Sequence, residues 1–368
     1  PAYYSKAKGC HVWDLDNRKY LDMSIMGIGA NILGYADDDV DNAVIEAVKN
    51  GVSSSLNCPE EVELAELLIK LHPWADMVRY TRSGGEAMAV AIRTARAKTK
   101  RDIVLFSGYH GWSDWYLAAN LGEFDGLDGQ LMPGLEPNGV PRGLVNSAIP
   151  FFFNDIENLA EVIKGKESRI AAIVVEPARG EEAPVKYLRS LKEIAAEIGA
   201  VLIFDEITSG FRMCAGGIHL KYGVNPDIAV FAKSIANGYA MAAILGTEKV
   251  MQAIQSTFVS STNWTERIGP TAALATIRKY QTFGVADHII QIGTKVKNIW
   301  SELTDKYGVT AKVSGLPTLG SMSFQSPNAQ EMNTIFTLGM LERGFLGFRQ
   351  FKPSWAHKDS DVTLYATA

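Results

Sequence analysis

The chain has 368 residues, of which 47% are hydrophobic and 21% charged, a composition typical of a globular protein with a principal and a smaller domain. A net charge of −5 without any basic tract gives no electrostatic basis for binding nucleic acid. No apolar run reaches the roughly 18–20 residues that span a bilayer, and three scattered cysteines favour neither a disulfide framework nor a metal site, so we expect a soluble, cytoplasmic protein.

The predicted elements start with a β-hairpin formed by Cys10–Asp16 and Lys19–Met23. Short apolar strands then alternate with helices such as Glu86–Lys98 and Lys186–Ile198. These strands are Met77–Thr81, Asp102–Ser107, Ile170–Glu176, Val201–Asp205, Ile228–Phe231 and Met241–Gly246. The alternation predicts an α/β fold with a mostly parallel central sheet and helices on both faces.

After about residue 276 the pattern changes to one long helix followed by short strands. The helix is Ala286–Asp305, and the strands are Val309–Val313, Thr318–Phe324 and Ser360–Tyr365. We therefore predict a large domain at residues 46–275 and a smaller α+β domain built from residues 1–45 and 276–368. The segment that begins at Pro1 already has the pattern of a folded domain, so we expect further residues before Pro1.

The segment LIFDEITSGFR, residues 202–212, is an apolar strand that ends in Asp205 and Glu206. Ligands of open α/β sheets bind beyond the carboxyl ends of the strands, which places Asp205 for chemistry. A carboxylate there would keep a pyridinium nitrogen protonated and so make the ring an electron sink. The competing interpretation is a strand-end aspartate that caps the following turn.

Lys233 follows 28 positions later (233 minus 205), directly after a strand and among apolar residues such as Phe231 and Ile235. Burial favours the neutral amine, which is the form that makes a Schiff base with a carbonyl group. The competing interpretation is a lysine whose stem lies along apolar surface while its ammonium group reaches water.

Ser83, Gly84 and Gly85 stand where a strand ends and an Ala-rich helix begins. Bare backbone N–H groups and the positive end of the helix dipole meet at such a place, which suits a phosphate. Ser83 with Glu86 also fits a capping box, and the sequence does not separate the two interpretations.

Two further strand ends carry residues suited to a planar ligand. Tyr109, His110 and Trp112 follow one strand and offer an aromatic face, although single aromatics more often pack in a core. Glu176 ends another strand, where it is a candidate hydrogen-bond partner. Each signal is weak alone. Together they are strong, because the phosphate site, the aromatic residue, the glutamate, the aspartate and the lysine follow successive strands of the predicted sheet.

With these residues the chain resembles the class III aminotransferases of pyridoxal 5'-phosphate (PLP) fold-type I, and most closely their glutamate-1-semialdehyde aminomutase branch. The resemblance covers nearly the whole chain and is most specific in DEITSGFR, residues 205–212, and in GGIHLKYGVNPD, residues 216–227. It implies PLP as the cofactor. It also implies a homodimer in which the two subunits share their active sites.

The resemblance assigns roles to individual residues. Lys233 is similar to the lysine that holds PLP as a Schiff base, and Asp205 to the partner of the pyridine nitrogen. The remaining cofactor contacts that it implies are Ser83, Gly84 and Gly85 at the phosphate, Tyr109 and Ile207 on the two ring faces, His110 and Glu176 nearby, and Thr265 reaching the phosphate of the neighbouring subunit.

Departures from the family pattern concern the substrate. Glu181 stands where many class III aminotransferases have a glutamate that pairs with an arginine, and that arginine's position looks like Thr363 in this chain. Trp112 replaces a histidine that is frequent in the aminomutase branch. These differences predict a substrate other than glutamate semialdehyde.

The predicted function is that of a PLP-dependent aminotransferase, which moves an amino group from a small-molecule donor to an aldehyde or ketone acceptor. An intramolecular aminomutase would use the same residues but would need no second substrate. A racemase or epimerase is a third candidate, and a non-catalytic α/β binding protein is a fourth.

Overall fold

The computed structural model describes residues 3–122, 126–130, 133–178 and 180–368. Its strands are β1 (Tyr4–Lys8), β2 (His11–Asp14), β3 (Lys19–Met23), β4 (Met77–Thr81), β5 (Ile103–Ser107), β6 (Ala148–Pro150), β7 (Ile170–Val175), β8 (Val201–Asp205), β9 (Ile228–Phe231), β10 (Ala242–Gly246), β11 (Ala311–Ser314), β12 (Gly320–Phe324), β13 (Phe345–Gly347) and β14 (Gln350–Phe351).

The helices are α1 (Met26–Gly29), α2 (Asp38–Lys49), α3 (Pro59–Leu71), α4 (Gly84–Thr99), α5 (Asp114–Leu117), α6 (Ile156–Ile163), α7 (Val185–Ile198), α8 (His219–Tyr222), α9 (Glu248–Met251), α10 (Ile268–Thr282), α11 (Val285–Lys306), α12 (Ala329–Glu342) and α13 (Asp359–Thr367). Of these, α1 is a single turn in which Gly27 (φ 65°) and Ile28 (φ 59°) have left-handed angles.

Within the described residues, the central sheet has seven strands in the order β4-β10-β9-β8-β7-β5-β6. Strands β9, β8, β7, β5 and β6 are parallel to one another, and β10 is antiparallel to both β9 and β4. The predicted α/β fold is therefore confirmed. The carboxyl ends of β8 and β9, which carry Asp205 and precede Lys233, lie at the same edge of the sheet.

Alternate residues of the central strands face two separate cores, because side chains in a strand point to opposite faces in turn. Phe106 and Ile203 pack in the core that contains α4. Leu105 and Leu202 pack in the core that contains α7, and Phe231 packs against α10 on that same side of the sheet. Burial on both faces explains why these strands read as continuous apolar runs.

Residues near both ends of the chain build two smaller sheets. One has the order β1-β2-β3-β13, and the other has the order β11-β12-β14. The predicted hairpin corresponds to β2 and β3, which pair antiparallel, and the predicted long helix corresponds to α11. This arrangement is compatible with the predicted division into two domains.

The prediction of a strand at Ser360–Tyr365 is wrong, because these residues lie in α13. Val362 and Tyr365, three positions apart, are both buried against the same apolar cluster, which is helical and not strand spacing. The Asp361 carboxylate accepts a hydrogen bond from the Lys358 backbone N–H at 2.8 Å and so supports the start of the helix.

Among the helices described here, none combines the length and the apolar character that crossing a membrane would require.

Candidate active site

A cavity of about 270 Å³ opens at the edge of the central sheet where β8 and β9 end. It brings together most of the site residues predicted from the sequence. Those that line it are Ser83, Gly84, Gly85, Tyr109, His110, Trp112, Asp205, Ile207 and Lys233.

Asp205 lines this cavity and is only 2% exposed. Its Oδ1 accepts a hydrogen bond from the Ile207 backbone N–H at 3.0 Å, and its Oδ2 lies 2.8 Å from Nδ1 of His110. The other ring nitrogen of His110 lies 3.2 Å from the Ser107 carbonyl oxygen, which can only accept. Because a carboxylate only accepts, Nδ1 of His110 is the donor in this contact and holds the carboxylate in place.

Lys233 lies directly after β9, in a short 3₁₀ turn that ends at Ala236. Its Nζ donates a hydrogen bond to Oγ1 of Thr208 at 2.9 Å. The backbone at Lys233 has a φ of 49°, in the left-handed region that a residue other than glycine rarely adopts. Such strain costs on the order of 1–3 kcal/mol and concentrates at functional sites, where the surrounding structure maintains it.

The start of α4 faces the same cavity through Ser83, Gly84 and Gly85. Ser83 is the N-cap: its Oγ accepts from the Glu86 N–H at 3.4 Å, while Glu86 Oε2 accepts from the Ser83 N–H at 2.9 Å. The capping box that the sequence allowed is thus present. It leaves other N–H groups of the first turn without a partner inside the helix, so an anion site at this end remains compatible with it.

The two glycines at the start of α4 allow neighbouring side chains to approach its backbone. A Cβ at position 84 would lie 2.9 Å from Cδ1 of Ile207, and a Cβ at position 85 would lie 3.3 Å from Nε1 of Trp112. Ile207 and Tyr109 both line the cavity. A buried carboxylate, a primary amine, apolar and aromatic walls and a helix N-terminus are the groups that a flat, phosphorylated pyridine ring requires, so the residues present fit PLP.

Three predicted site residues do not line this cavity. Glu176 is buried beside it, where Oε2 accepts a hydrogen bond from the Tyr109 N–H at 3.1 Å, and it lines a neighbouring cavity of about 680 Å³ together with the exposed Glu181. Thr265 is exposed on a loop. Arg82 anchors that loop by donating to the carbonyl oxygens of Trp264 at 3.0 Å and Glu266 at 2.8 Å.

The structure also corrects the prediction for Thr363, the residue expected to occupy the position of the family's arginine on a final strand. Thr363 lies on the exposed side of α13, with its hydroxyl bonded to the Asp359 carbonyl oxygen at 3.0 Å, and not on a strand that faces the cavity. Its place on a surface helix follows from the helical packing of Val362 and Tyr365. Trp112, in contrast, lines the mouth of the cavity and is 75% exposed.

Two polar residues among those that the sequence did not predict are Thr208, which bonds to Lys233, and Arg82, which lines the cavity next to Ser83. Arg82 had a weak signal, since it directly precedes the proposed phosphate site. Thr208 had none, because its partner lies 25 positions along the chain on another loop.

Comparison with known proteins gives the family of the chain. The aminotransferase class-III family model matches residues 1–357. A 3-aminobutyryl-CoA aminotransferase of Cloacimonas acidaminovorans is 31% identical, with 89% of this chain and 77% of the relative covered. Glutamate-1-semialdehyde 2,1-aminomutase 2 of Lachnoclostridium phytofermentans is 32% identical, with 91% of this chain and 79% of that relative covered.

A solved structure is similar over the whole length of the chain. The FumI protein of Sphingopyxis sp. MTA144, in its PLP internal aldimine form, superimposes with a TM-score of 0.90 at 25% identity, covering 100% of this chain and 87% of the other. The fold is therefore PLP fold-type I, the cofactor is PLP, and the enzyme is an aminotransferase. The chain belongs to the class-III aminotransferase family.

Proposed function

We propose that Lys233 and Asp205 are the catalytic residues of this PLP-dependent aminotransferase and that the cavity between them and the start of α4 holds the cofactor. One observation carries the proposal: the Lys233 amine and the Asp205 carboxylate line the same cavity as the N-terminus of α4. When bound, PLP supplies an electron-accepting ring joined to the carbon atom that exchanges amino groups.

The protein would hold the cofactor at three places. Asp205, kept in position by His110, would hold a proton on the ring nitrogen, because a buried carboxylate favours a positive charge beside it. Ser83, Gly84 and Gly85 would bind the phosphate at the positive end of the α4 dipole. Tyr109 and Ile207 would pack on the ring.

Lys233 would do the proton chemistry. In the enzyme loaded with PLP, the neutral Nζ would take a proton from the α-carbon of the amino donor and return it at another carbon. The Thr208 hydroxyl, which accepts from Nζ at 2.9 Å, keeps the amine inside the cavity.

Four finer points belong to the same proposal. Trp112 and Glu181 would contact the substrate, Trp112 at the cavity mouth and Glu181 from the neighbouring cavity. Thr265 would reach the phosphate of the partner subunit in a homodimer, which its exposure on the Arg82-anchored loop supports. The division into a domain of residues 46–275 and one of residues 1–45 and 276–368 is supported by the separate small sheets. The cytoplasm as location stays a prediction.

An intramolecular aminomutase is the second candidate, favoured by the 32% identical aminomutase of L. phytofermentans. The same lysine and aspartate would serve both reactions. The two functions differ in donor dependence, since a transaminase needs a separate amino donor and acceptor whereas a mutase converts a single amino aldehyde.

The test is the absorbance spectrum of the purified protein with PLP, before and after adding glutamate, alanine or simple amines one at a time. We expect a visible band that one donor converts to an ultraviolet band, with release of the corresponding oxo acid or aldehyde. Turnover of glutamate-1-semialdehyde without any donor would instead establish the mutase.

Two variants assign the band to a residue. Lys233→Ala should lose the visible band and all measurable turnover. Lys279→Ala is the matched control, because Lys279 is also half-buried but pairs with Asp37 and Asp39 away from the cavity, and it should keep the band. Near-normal turnover in Lys233→Ala would contradict the proposed mechanism.

A further inference from the structure

Glu206, the residue after Asp205, is the centre of a buried hydrogen-bond network that the proposed mechanism does not use. It is 0% exposed. Its Oε1 accepts from the His219 backbone N–H at 3.0 Å and from Nδ1 of His219 at 2.8 Å, and its Oε2 accepts from the Ser209 hydroxyl. One carboxylate therefore ties together both ends of the loop of residues 206–219.

The charge on this carboxylate is maintained in spite of its burial. Desolvation raises the pKa of Glu206, but the donors from His219 and Ser209 outweigh it, so that the pKa lies below its ordinary value. The network extends further, because Nε2 of His219 accepts from the Trp74 indole N–H at 2.9 Å. His219 is thereby held in the tautomer that donates from Nδ1.

The Gly216-Gly217 pair allows the backbone to approach this network. A Cβ at position 217 would lie 2.9 Å from Oε1 of Glu206, and a Cβ at position 216, where φ is 116°, would lie 2.9 Å from Nε2 of His72. The Gly217 N–H donates to that same nitrogen of His72 at 3.0 Å. The glycine pair is thus explained by packing around Glu206 and not by contact with the cofactor cavity.

The loop that Glu206 fixes carries two residues of the cavity wall, Ile207 and Thr208. Thr208 is also held from the other side, since Nε of Arg212 donates to its carbonyl oxygen at 2.6 Å while the Arg212 guanidinium also bonds to the Gly29 carbonyl oxygen. The hydroxyl of Thr208 accepts from Lys233 Nζ at 2.9 Å. The position of Lys233 in the cavity therefore depends on a loop whose closure depends on Glu206.

We propose that Glu206 is a positioning residue for the amino-transfer reaction, acting through Thr208 on the lysine amine. The inference rests on the proposed role of Lys233. A buried carboxylate is not needed to stabilise a core, since apolar residues of similar volume often do as well or better. Its three donors come from both ends of one loop, which suits a role in holding that loop in a single geometry.

The experiment compares PLP-loaded wild type with Glu206→Gln, an isosteric change that removes the charge. Two quantities are measured: the pH midpoint of the visible absorbance change, and kcat/KM for the half reaction with a saturable donor. We expect the midpoint to shift and kcat/KM to fall about tenfold, the effect of weakening one hydrogen bond to a charged group. Ser209→Ala, which removes one donor to Glu206, should shift both quantities in the same direction if Glu206→Gln does not fold.

Asp227→Asn is the matched control, because the Asp227 carboxylate also accepts a backbone N–H, that of Leu202 at 2.8 Å, but at the opposite end of β8. It should change the melting temperature without moving the pH midpoint. A purely structural role for Glu206 would give the same pattern in Glu206→Gln, and that result would overturn the inference.

A double-mutant cycle tests whether the effect passes through Thr208. Adding Glu206→Gln to Thr208→Ala should cause no further loss of kcat/KM, whereas a loss equal to the product of the two single effects would contradict the route. Failure of the proposed function is distinguishable, because then the visible band itself would be absent or would persist in Lys233→Ala.

Discussion

Asp205 has both carboxylate oxygens engaged, one by the Ile207 N–H and one by His110. In an Asp205→Asn variant, the amide NH₂ can face His110 if that ring gives up its Nδ1 hydrogen, so the variant should fold. It would have lost the negative charge that stabilises a protonated ring nitrogen. We expect it to bind PLP but to lose about 10²–10³-fold in kcat/KM, as when a preorganised electrostatic group is removed.

The measurement is kcat/KM together with the cofactor content of the purified variant. Asp227→Asn, the same chemical change at the far end of β8, should keep most of the activity. An Asp205→Asn enzyme within a few-fold of wild type would show that the charge is not needed.

Single site residues were predictable from the sequence where the neighbouring residues mark a strand end or a helix start. Asp205 and Lys233 each follow an apolar strand, and Ser83 with two glycines marks a helix start. Thr208, Glu206 and His219 could not be found in this way, because only the folded chain brings each of them near its hydrogen-bond partner.

At the scale of elements, His72 links the end of α3 to the loop at Gly217 and is 0% exposed. Burial lowers the pKa of His72 from 6.5 to about 4. Between pH 6.5 and about 4, His72 is therefore protonated in the unfolded chain but stays neutral in the native state. The stability that the neutral His72 contributes is complete above pH 6.5 and is lost as the pH falls to about 4.

We expect this group to lower the free energy of unfolding by about 3 kcal/mol between neutral pH and pH 4, since each pKa unit corresponds to about 1.4 kcal/mol. Urea unfolding at several pH values should show the loss in wild type and a shallower slope in His72→Gln. His11→Gln, which removes a partly exposed histidine, should keep most of the slope. Equal slopes in wild type and His72→Gln would refute the assignment.

Six of the seven described strands of the central sheet, all except β6, were predictable to within a residue at their ends, because burial on both faces produces unbroken apolar runs between turns. The error at Ser360–Tyr365 has the opposite origin. β-Branched Val362 and Thr363 favour a strand locally, but the packing of Val362 and Tyr365 on one buried cluster makes the segment helical. Tertiary contacts overrode propensity where the segment was short.

At the scale of the whole molecule, the sequence predicted that both ends of the chain together form a smaller domain, separate from the domain that contains the central sheet. The two small sheets agree with that suggestion. The apolar cluster around α10 nevertheless joins residues as distant as Val40 and Ile289 to the central sheet, so the boundaries at 46 and 275 stay predictions. Alternation of elements identifies a fold class, but it does not reveal how tightly terminal segments pack against it.

Thr265 is the residue that we expect to link the two subunits of a dimer at their active sites. It is exposed, yet its loop is fixed by Arg82, the neighbour of Ser83 at the start of α4. In a twofold dimer such a loop can complete the phosphate site of the partner subunit, so each active site would combine Lys233 of one chain with Thr265 of the other. A Thr265→Glu variant, whose carboxylate would repel a phosphate, should then be nearly inactive.

Mixing decides whether the site is shared. When Thr265→Glu and Lys233→Ala chains are unfolded and refolded together, half of the dimers are mixed, and each mixed dimer has one intact site and one with both defects. Activity should recover to about a quarter of the wild-type value, although neither variant is active alone. If Thr265 served its own chain, every site in the mixture would carry one defect and no activity would return, and a wild-type protein that sediments as a monomer would exclude the shared site outright.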